Sequence, residues 1–350
     1  MTNNISVIAI DAMGGDYGLE STVAGSILAL GAHPNIHLIL VGNKPKITQQ
    51  LAHLKVKNQS RLSIHHAEEE VEMCEAPALA LRNKKRSSMR LAINLVREGK
   101  AQACVSAGNT GALMATSRFV LKMLPGIDRP AIIYAVPGLN SETGKPSVAH
   151  MLDLGANVDC SSDHLFQFAV MGSVLSSCVD GKKHPRVALL NIGEEQVKGL
   201  DSIKKAAVAL DACEDINYVG FIEGNHIFRD RADVIVCDGF IGNIALKSIE
   251  GAGSFFYDTV KQSFTYSIWA KVQALFARPA LLRIKNRLDL RQYNGATFLG
   301  LRGIVIKSHG SADHVAFATA IQKAIKEIEK DVPAQIHSHV ETILGEKIDA

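Results

Sequence analysis

The stretch "ACVSAGNTGALMA", residues 103–115, decides the fold. A short apolar run ends at Ser106. Two glycines, an amide and a hydroxyl follow before small apolar residues resume. The run is too short for a helix and suits a buried strand, while residues after Asn109 have helical spacing. A strand that turns through glycines into a helix leaves the first N–H groups of that helix unpaired, at its positive end. Such a start suits an anion. Gly108 and Gly111 let the backbone come close, and Ser106, Asn109 and Thr110 supply donors.

The same ending recurs along the 350 residues. "VIAIDAMGG" (7–15), "LILVG" (38–42), "AHMLDLG" (149–155), "VALLNIG" (187–193), "VGFIEG" (219–224), "VIVCDG" (234–239) and "GIVIKSHG" (303–310) all run from apolar residues to a glycine. A glycine after a strand is ordinarily a turn residue, so no single ending decides anything. Together they describe strand, glycine turn and helix in repetition, hence an α/β fold with a mostly parallel, Rossmann-like sheet and helices on both faces. Helical spacing is expected over 79–98, 109–123, 161–177 and 202–211. Right-handed crossovers would bring the strand ends to one edge, where open α/β sheets bind ligands. Asp11, Ser106, Asn109, Asp153, Glu223, Asp238 and His309 are then expected to converge. "PGLNSETGKPS" (137–147) reads as a loop excursion.

Composition narrows the classes. Apolar residues at 47% and charged residues at 21% provide for a sizeable core. A net charge of +3 argues against general nucleic-acid binding. Six cysteines are scattered without CxxC or zinc spacing, which fits reduced thiols and no metal. The N-terminus lacks the basic and apolar regions of a signal peptide, and no run reaches the roughly 18 apolar residues of a membrane span. There is no GxGxxG after a strand, no HExxH and no GxSxG. "GLNSETGKP" departs from a P-loop in glycine spacing and in Pro146.

What remains is glycine turns at helix starts. "DAMGGD" carries Asp11, Gly14, Gly15 and Asp16. "DGFIGNIALKS" carries Asp238, Asn243 and, one turn on, Lys247. "NIGEEQVKG" places Lys198 after a strand, and "KSHGSAD" gathers Lys307, His309, Gly310 and Asp313.

Between Asp258 and Asp289 lie six basic residues and no acidic one. Ile268, Val272, Leu275 and Phe276 fall at helical spacing there, Trp269 is the chain's only tryptophan, and Pro279 is expected to break the segment before Leu281 and Leu282. A helix–break–helix with an apolar, cationic tip suits anionic headgroups. An amphipathic helix packed on its own core or on a second subunit fits the composition equally.

Seven stretches in order, "IAIDAMGGD", "SAGNTGALM", "DLGAN", "NIGEE…KG", "GFIEGN", "CDGFIGNIALKS" and "GATFLGLRGIVIKSHGSAD", resemble the phosphate acyltransferases of bacterial phospholipid synthesis, from residue 8 to 313. That resemblance implies transfer of a fatty acyl group from acyl-acyl carrier protein to inorganic phosphate, giving acyl phosphate. It implies a fold of the isocitrate dehydrogenase/phosphotransacetylase type as one catalytic unit over 1–350, with a helical dimerisation and membrane-contact excursion at about 251–292. It implies a cytoplasmic homodimer attached peripherally to the inner face of the membrane, no cofactor, and a membrane glycerol-3-phosphate acyltransferase as neighbour. On this basis Ser106, Asn109, Thr110 and Gly111 would cradle phosphate together with Gly14, Gly15 and Gly310. Lys198, Asn243 and Lys247 would hold anionic or carbonyl oxygens, and His309 would protonate or orient the leaving thiolate. Asp11 and Asp238 would orient loops and donors. Trp269, Leu275, Phe276, Leu281 and Leu282 would touch membrane. Cys104, in an apolar run, reads as a structural thiol, so direct attack by phosphate is expected. A phosphotransacetylase-like enzyme using acyl-coenzyme A and a non-catalytic scaffold remain the alternatives.

Overall fold

The computed structural model describes residues 5–56, 60–287 and 289–348. Its strands are β1 (Ser6–Asp11), β2 (Ile36–Gly42), β3 (Leu62–His66), β4 (Ala103–Ser106), β5 (Ala131–Leu139), β6 (Pro146–Leu152), β7 (Val187–Leu190), β8 (Tyr218–Ile222), β9 (Val234–Val236), β10 (Ala296–Leu299) and β11 (Ile304–Lys307). They form one sheet in the order β3-β2-β1-β4-β11-β10-β5-β6-β9-β7-β8. The helices are α1 (Gly18–Ala32), α2 (Lys44–His53), α3 (Pro77–Asn83), α4 (Ser88–Arg97), α5 (Thr110–Leu121), α6 (Ser162–Asp180), α7 (Asp201–Asp211), α8 (Gly239–Ser263), α9 (Ile268–Arg287), α10 (His314–Glu329) and α11 (Val332–Ile348).

The central strands are buried on both faces, which is why they read as unbroken apolar runs. Ile8 and Ile10 of β1 pack with Val23 of α1 and with Phe317 and Ile321 of α10. Between them Ala9 faces the other way, toward Met89 and Ile93 of α4. In the second half, Val234 and Val236 of β9 pack with Phe168 and Leu175 of α6, and Ile235 faces the opposite layer.

Three expectations need correction. Residues 137–147 belong to a hairpin, with β5 and β6 paired antiparallel from Tyr134↔Met151 to Leu139↔Pro146. Asn140 closes its turn by accepting from the N–H groups of Glu142 and Thr143. The helix expected over 79–98 is two helices. The chain leaves α3 at Lys84 and restarts at Ser87, whose hydroxyl caps α4 by accepting from Arg90 N–H.

The third concerns the strand ends. β11–β10, β10–β5 and β5–β6 are antiparallel, and the other pairings are parallel. The endings after β1, β2, β4 and β11 therefore point one way along the sheet, and those after β6, β7, β8 and β9 the other. The two halves are joined instead by α8, which starts after β9 and carries Glu250 to 4.0 Å from His309 in the loop after β11.

Phe317 is fully buried where α10 meets α1, and Gly25 of α1 leaves it room. Phe317→Ala is expected to lower unfolding free energy by about 3–5 kcal/mol, read from the midpoint of a urea titration.

Candidate active site

Asp11, Ser106 and Lys307 close β1, β4 and β11, and the sheet register sets them side by side: Asp11↔Ser106 and Ser106↔Lys307. The Ser106 hydroxyl donates to Asp11 Oδ2 at 2.7 Å and accepts from Gly108 N–H at 3.1 Å. The loops beyond are pressed together. A Cβ on Gly14 would stand 2.6 Å from Gly108 N, and one on Gly15, at φ +95°, 3.0 Å from Gly310 O. Asp16 N–H donates to Gly310 O at 2.8 Å. The glycine loops after three neighbouring strands thus share one small region.

Lys307 lies beneath them, only 8% exposed. Its ammonium donates to Ala107 O at 3.2 Å and to Ser308 O. Burial pulls its pKa down to about 8, against the opposing pull of the Asp16 and Asp11 carboxylates, and nearby Lys247 lowers it further. Burial also raises the carboxyl of Asp11, which the Ser88 and Ser106 hydroxyls counter. In the sequence Lys307 ends an apolar strand, and the motifs there assign it no role. The signal was present: a lysine closing a buried run must find partners inside.

α8 supplies the opposite wall. Asp238 caps it by accepting from Ile241 N–H at 2.8 Å. Asn243, Lys247 and Glu250 form one stripe at i, i+4 and i+7. At its near end Asn243 sits against Gly155 in the loop after β6. At its far end Lys247 Nζ pairs with Glu250 at 2.7 Å, and Glu250 Oε1 lies 4.0 Å from His309 Nε2. His309 Nδ1 accepts from Ser311 N–H at 3.2 Å, so the neutral ring carries its proton on Nε2, toward Glu250. Burial lowers the His309 pKa, with Glu250 opposing and Lys247 and Lys307 adding to the fall. The neutral ring therefore prevails near pH 7. Tyr134 of β5 also neighbours Glu250. Burial pushes its phenol up to about 12, so it stays a donor.

Several assigned roles change. Ser106 is fully buried and engaged with Asp11, so it builds the loop. Asn109 caps α5 by accepting from Ala112 N–H, and donates both amide hydrogens to the carbonyls of Met73 and Glu75. Its side chain has none left for an anion. Gly111 meets a packing need as well, because a Cβ there would lie 2.6 Å from Pro77 Cγ of α3. The exposed Thr110 and the backbone N–H groups of Thr110 and Gly111, which the cap does not engage, remain as donors. Asp153 gathers N–H groups of Ile132, Ala156 and Asn157 and organises the loop after β6. Lys198 does not join this region through any contact among the described residues. It pairs with Glu195 at 2.9 Å after β7, with Glu223 nearby.

The helical excursion begins earlier than expected, because α8 runs unbroken from Gly239 to Ser263. Pro279 lies inside α9 and does not break it. The break falls at 264–267, where Ser267 Oγ accepts from Ala270 N–H to start the new helix. Trp269, Leu275 and Phe276 are 79%, 67% and 82% exposed, and Leu282 is exposed too; Leu281 is half-buried.

The family described as "Fatty acid synthesis protein" matches residues 6–335. A phosphate acyltransferase of Francisella philomiragia is 52% identical, the match covering 96% of this chain and 99% of that one. Another, from Methylococcus capsulatus, is also 52% identical over 95% and 96%. This chain belongs to the phosphate acyltransferase family. Among solved structures, a phosphotransacetylase from Streptococcus pyogenes matches with TM-score 0.60 at 17% identity, over 93% and 94% of the two chains. One from Staphylococcus aureus matches at 0.56 and 17%, over 91% and 94%. At such identity these show the fold: a mostly parallel α/β sheet of the phosphotransacetylase type.

Lys307→Met should lower kcat/KM about 100- to 1,000-fold, as loss of a buried charge donor does. In the unaltered protein kcat/KM should fall as pH rises through about 8, where free Lys307 loses its proton. Stability runs the opposite way. Between about 8 and the unfolded value near 10.4 the unfolded chain binds more protons, so stability rises with pH, and Lys307→Met should remove that rise.

Proposed function

We propose that this chain transfers a fatty acyl group from acyl-acyl carrier protein to inorganic phosphate, releasing acyl phosphate for phosphatidic acid and phospholipid synthesis. The observation that carries the reading is the meeting of Lys307, Lys247 and His309 beside the glycine loops and the open start of α5. Membership of the phosphate acyltransferase family agrees with it.

The chemistry asks for little acid–base help. Hydrogen phosphate near pH 7 is largely dianionic, with a pKa near 6 for a comparable phosphoryl group. The leaving thiol has a pKa of roughly 8.5. A phosphate oxygen attacks the thioester carbon and a C–O bond forms. The carbonyl electron pair moves to oxygen and returns as the C–S bond breaks. The proton of hydrogen phosphate ends on the departing sulfur. Positioning contributes about 7–11 kcal/mol to such a step, and one oxyanion donor about 3–4. Thr110, the first N–H groups of α5 and Lys307 hold the dianion. Lys247 and neutral His309, through Nε2–H, stand where the carbonyl oxygen and sulfur develop charge.

A thiol nucleophile is disfavoured. Cys104 is fully buried, and burial pushes its thiol well up, so it stays protonated. Cys104→Ser should keep most activity, and a trapped acyl-enzyme would contradict direct attack. The direct test is acyl phosphate formation from palmitoyl-acyl carrier protein and phosphate. A higher rate from palmitoyl-coenzyme A would move the donor to the coenzyme.

The exposed apolar, cationic tip of α8 and α9 supports association into a homodimer and peripheral contact with anionic membrane. There the product would reach a membrane glycerol-3-phosphate acyltransferase. No described helix is long and apolar enough to cross a bilayer. Leu275→Glu with Leu282→Glu should abolish sedimentation with anionic vesicles; unchanged sedimentation would refute membrane contact.

A further inference from the structure

From residue 76 to residue 127 the chain carries nine basic residues and a single carboxylate, Glu98, although its net charge as a whole is only +3. This stretch forms α3, α4, β4 and α5, and both α3 and α4 pack on α5. The cations therefore gather on one helical layer. Arg86 pairs with Glu68 at 3.1 Å, and Glu98 takes Arg97 at 3.8 Å and Lys100 at 2.9 Å. The other six, Arg90, Arg118 and Lys122 among them, have no carboxylate partner among the described residues. Phe119 of α5 is 55% exposed, with the Arg90 guanidinium 5.2 Å and the Lys122 ammonium 5.1 Å from its ring centre. Arg118 is exposed beside it, one turn before Lys122. Burial and the like charge of Arg97 both lower the Arg90 pKa, and no carboxylate opposes them. Two neighbours of Arg90 tie this face to the anion site. The Ser88 hydroxyl acts on Asp11 through a hydrogen bond, and Met89 Cε lies 2.8 Å from where a Cβ on Gly108 would stand.

We propose that the face around Phe119 docks the acyl carrier protein through that protein's carboxylates. The proposal rests on the acyl-transfer reading above and deepens it by giving the donor a place on the surface. Unmatched like charges held around one aromatic ring repel each other, and an arriving row of carboxylates relieves that repulsion. Complementary charge also steers the encounter and excludes partners of the wrong sign. An exposed aromatic beside arginine suits the anchor of a protein interface. A carrier protein delivers its acyl group on a flexible phosphopantetheine arm, so its docking face stands away from the reacting carbonyl. About thirteen bonds at roughly 1.25 Å each give that arm a reach of about 16 Å. Along α5, the nine residue steps from Thr110 at the anion site to Phe119 advance by about 14 Å. Membrane contact would call for several apolar side chains inserted together, as the tip of α8 and α9 offers. In this stretch Leu79 and Phe119 are the large apolar side chains exposed among the described residues.

Arg118→Glu with Lys122→Glu, both on the exposed surface, should raise KM for palmitoyl-acyl carrier protein about tenfold or more at low salt. At saturating donor, kcat and the KM for phosphate should stay within about twofold. In the unaltered protein KM for the carrier should climb with added salt, and in the double variant that climb should vanish. Phe119→Ala serves as a second variant, which should raise KM for the carrier several-fold and keep the salt dependence. Thermal unfolding of both checks that they fold. An unchanged KM for the carrier in both variants overturns the proposal. So does an equal rise in KM for phosphate, which would place the effect at the anion site. Loss of sedimentation with anionic vesicles, with KM for the carrier kept, assigns the face to membrane and also overturns it. Failure of the unaltered protein to use palmitoyl-acyl carrier protein, with palmitoyl-coenzyme A accepted, overturns the carrier-protein reading of the donor instead.

Discussion

At Gly14 and Gly108 two backbones meet with no side chain between them, and the site depends on that contact. A Cβ on Gly14 would fall 2.6 Å from Gly108 N and 2.9 Å from Asp11 Oδ2. Asp11 and Ser106 are register partners of β1 and β4, and their buried hydrogen bond holds the two strand ends level. Hydrogen bonds to a charged group contribute about 1.5–3 kcal/mol. Among the described residues, Asp11 Oδ1 has no hydrogen-bond partner. The ammonium of Lys307 lies near enough to act on this carboxylate through its charge. Carboxylate, hydroxyl and ammonium thus stand on three adjacent strands, and the loops above them close over the same spot.

The second constraint is the change of strand direction in the middle of the sheet. Three successive antiparallel pairings, β11–β10, β10–β5 and β5–β6, leave the two halves running in opposite directions, so their loops leave opposite ends of the strands. The length of α8 bridges the two halves. The twelve residue steps from Asp238 to Glu250 advance by about 18 Å. They carry Lys247 and Glu250 from the end of β9 to the loop after β11. A cation and a carboxylate therefore reach the site from a helix, while the anion cradle is built from strand ends.

Much of this was legible in the residues. The buried strands show as Val- and Ile-rich runs, and the close approach at Gly14, Gly15 and Gly108 shows as glycines directly after them. Strand direction was not legible. It is set by an odd number of antiparallel pairings, β11–β10, β10–β5 and β5–β6, and the β10–β5 partnership is a non-local choice that a four-residue segment does not announce. The hairpin at 137–147 was obscured because its Gly, Pro and polar residues imitate a loop. Asn109 and Ser106 look like anion ligands in the sequence, because a committed donor and a free one are written with the same letter. Only the positions of Met73, Glu75 and Asp11 reveal that their hydrogen bonds are already committed. Lys198 shows the converse: a lysine after a strand, beside a glycine, that pairs with its own loop. Pro279 lies within α9, so a proline was an unreliable sign of where that segment turns.

The central claim is that the loops after β1, β4 and β11, with α8, form one anion site. A crystal soaked in tungstate, an anomalously scattering mimic of phosphate, tests it most directly. A single peak is expected between the start of α5, Lys307 and His309. A peak at the Lys198–Glu195 loop, with none beside Lys307, would contradict it.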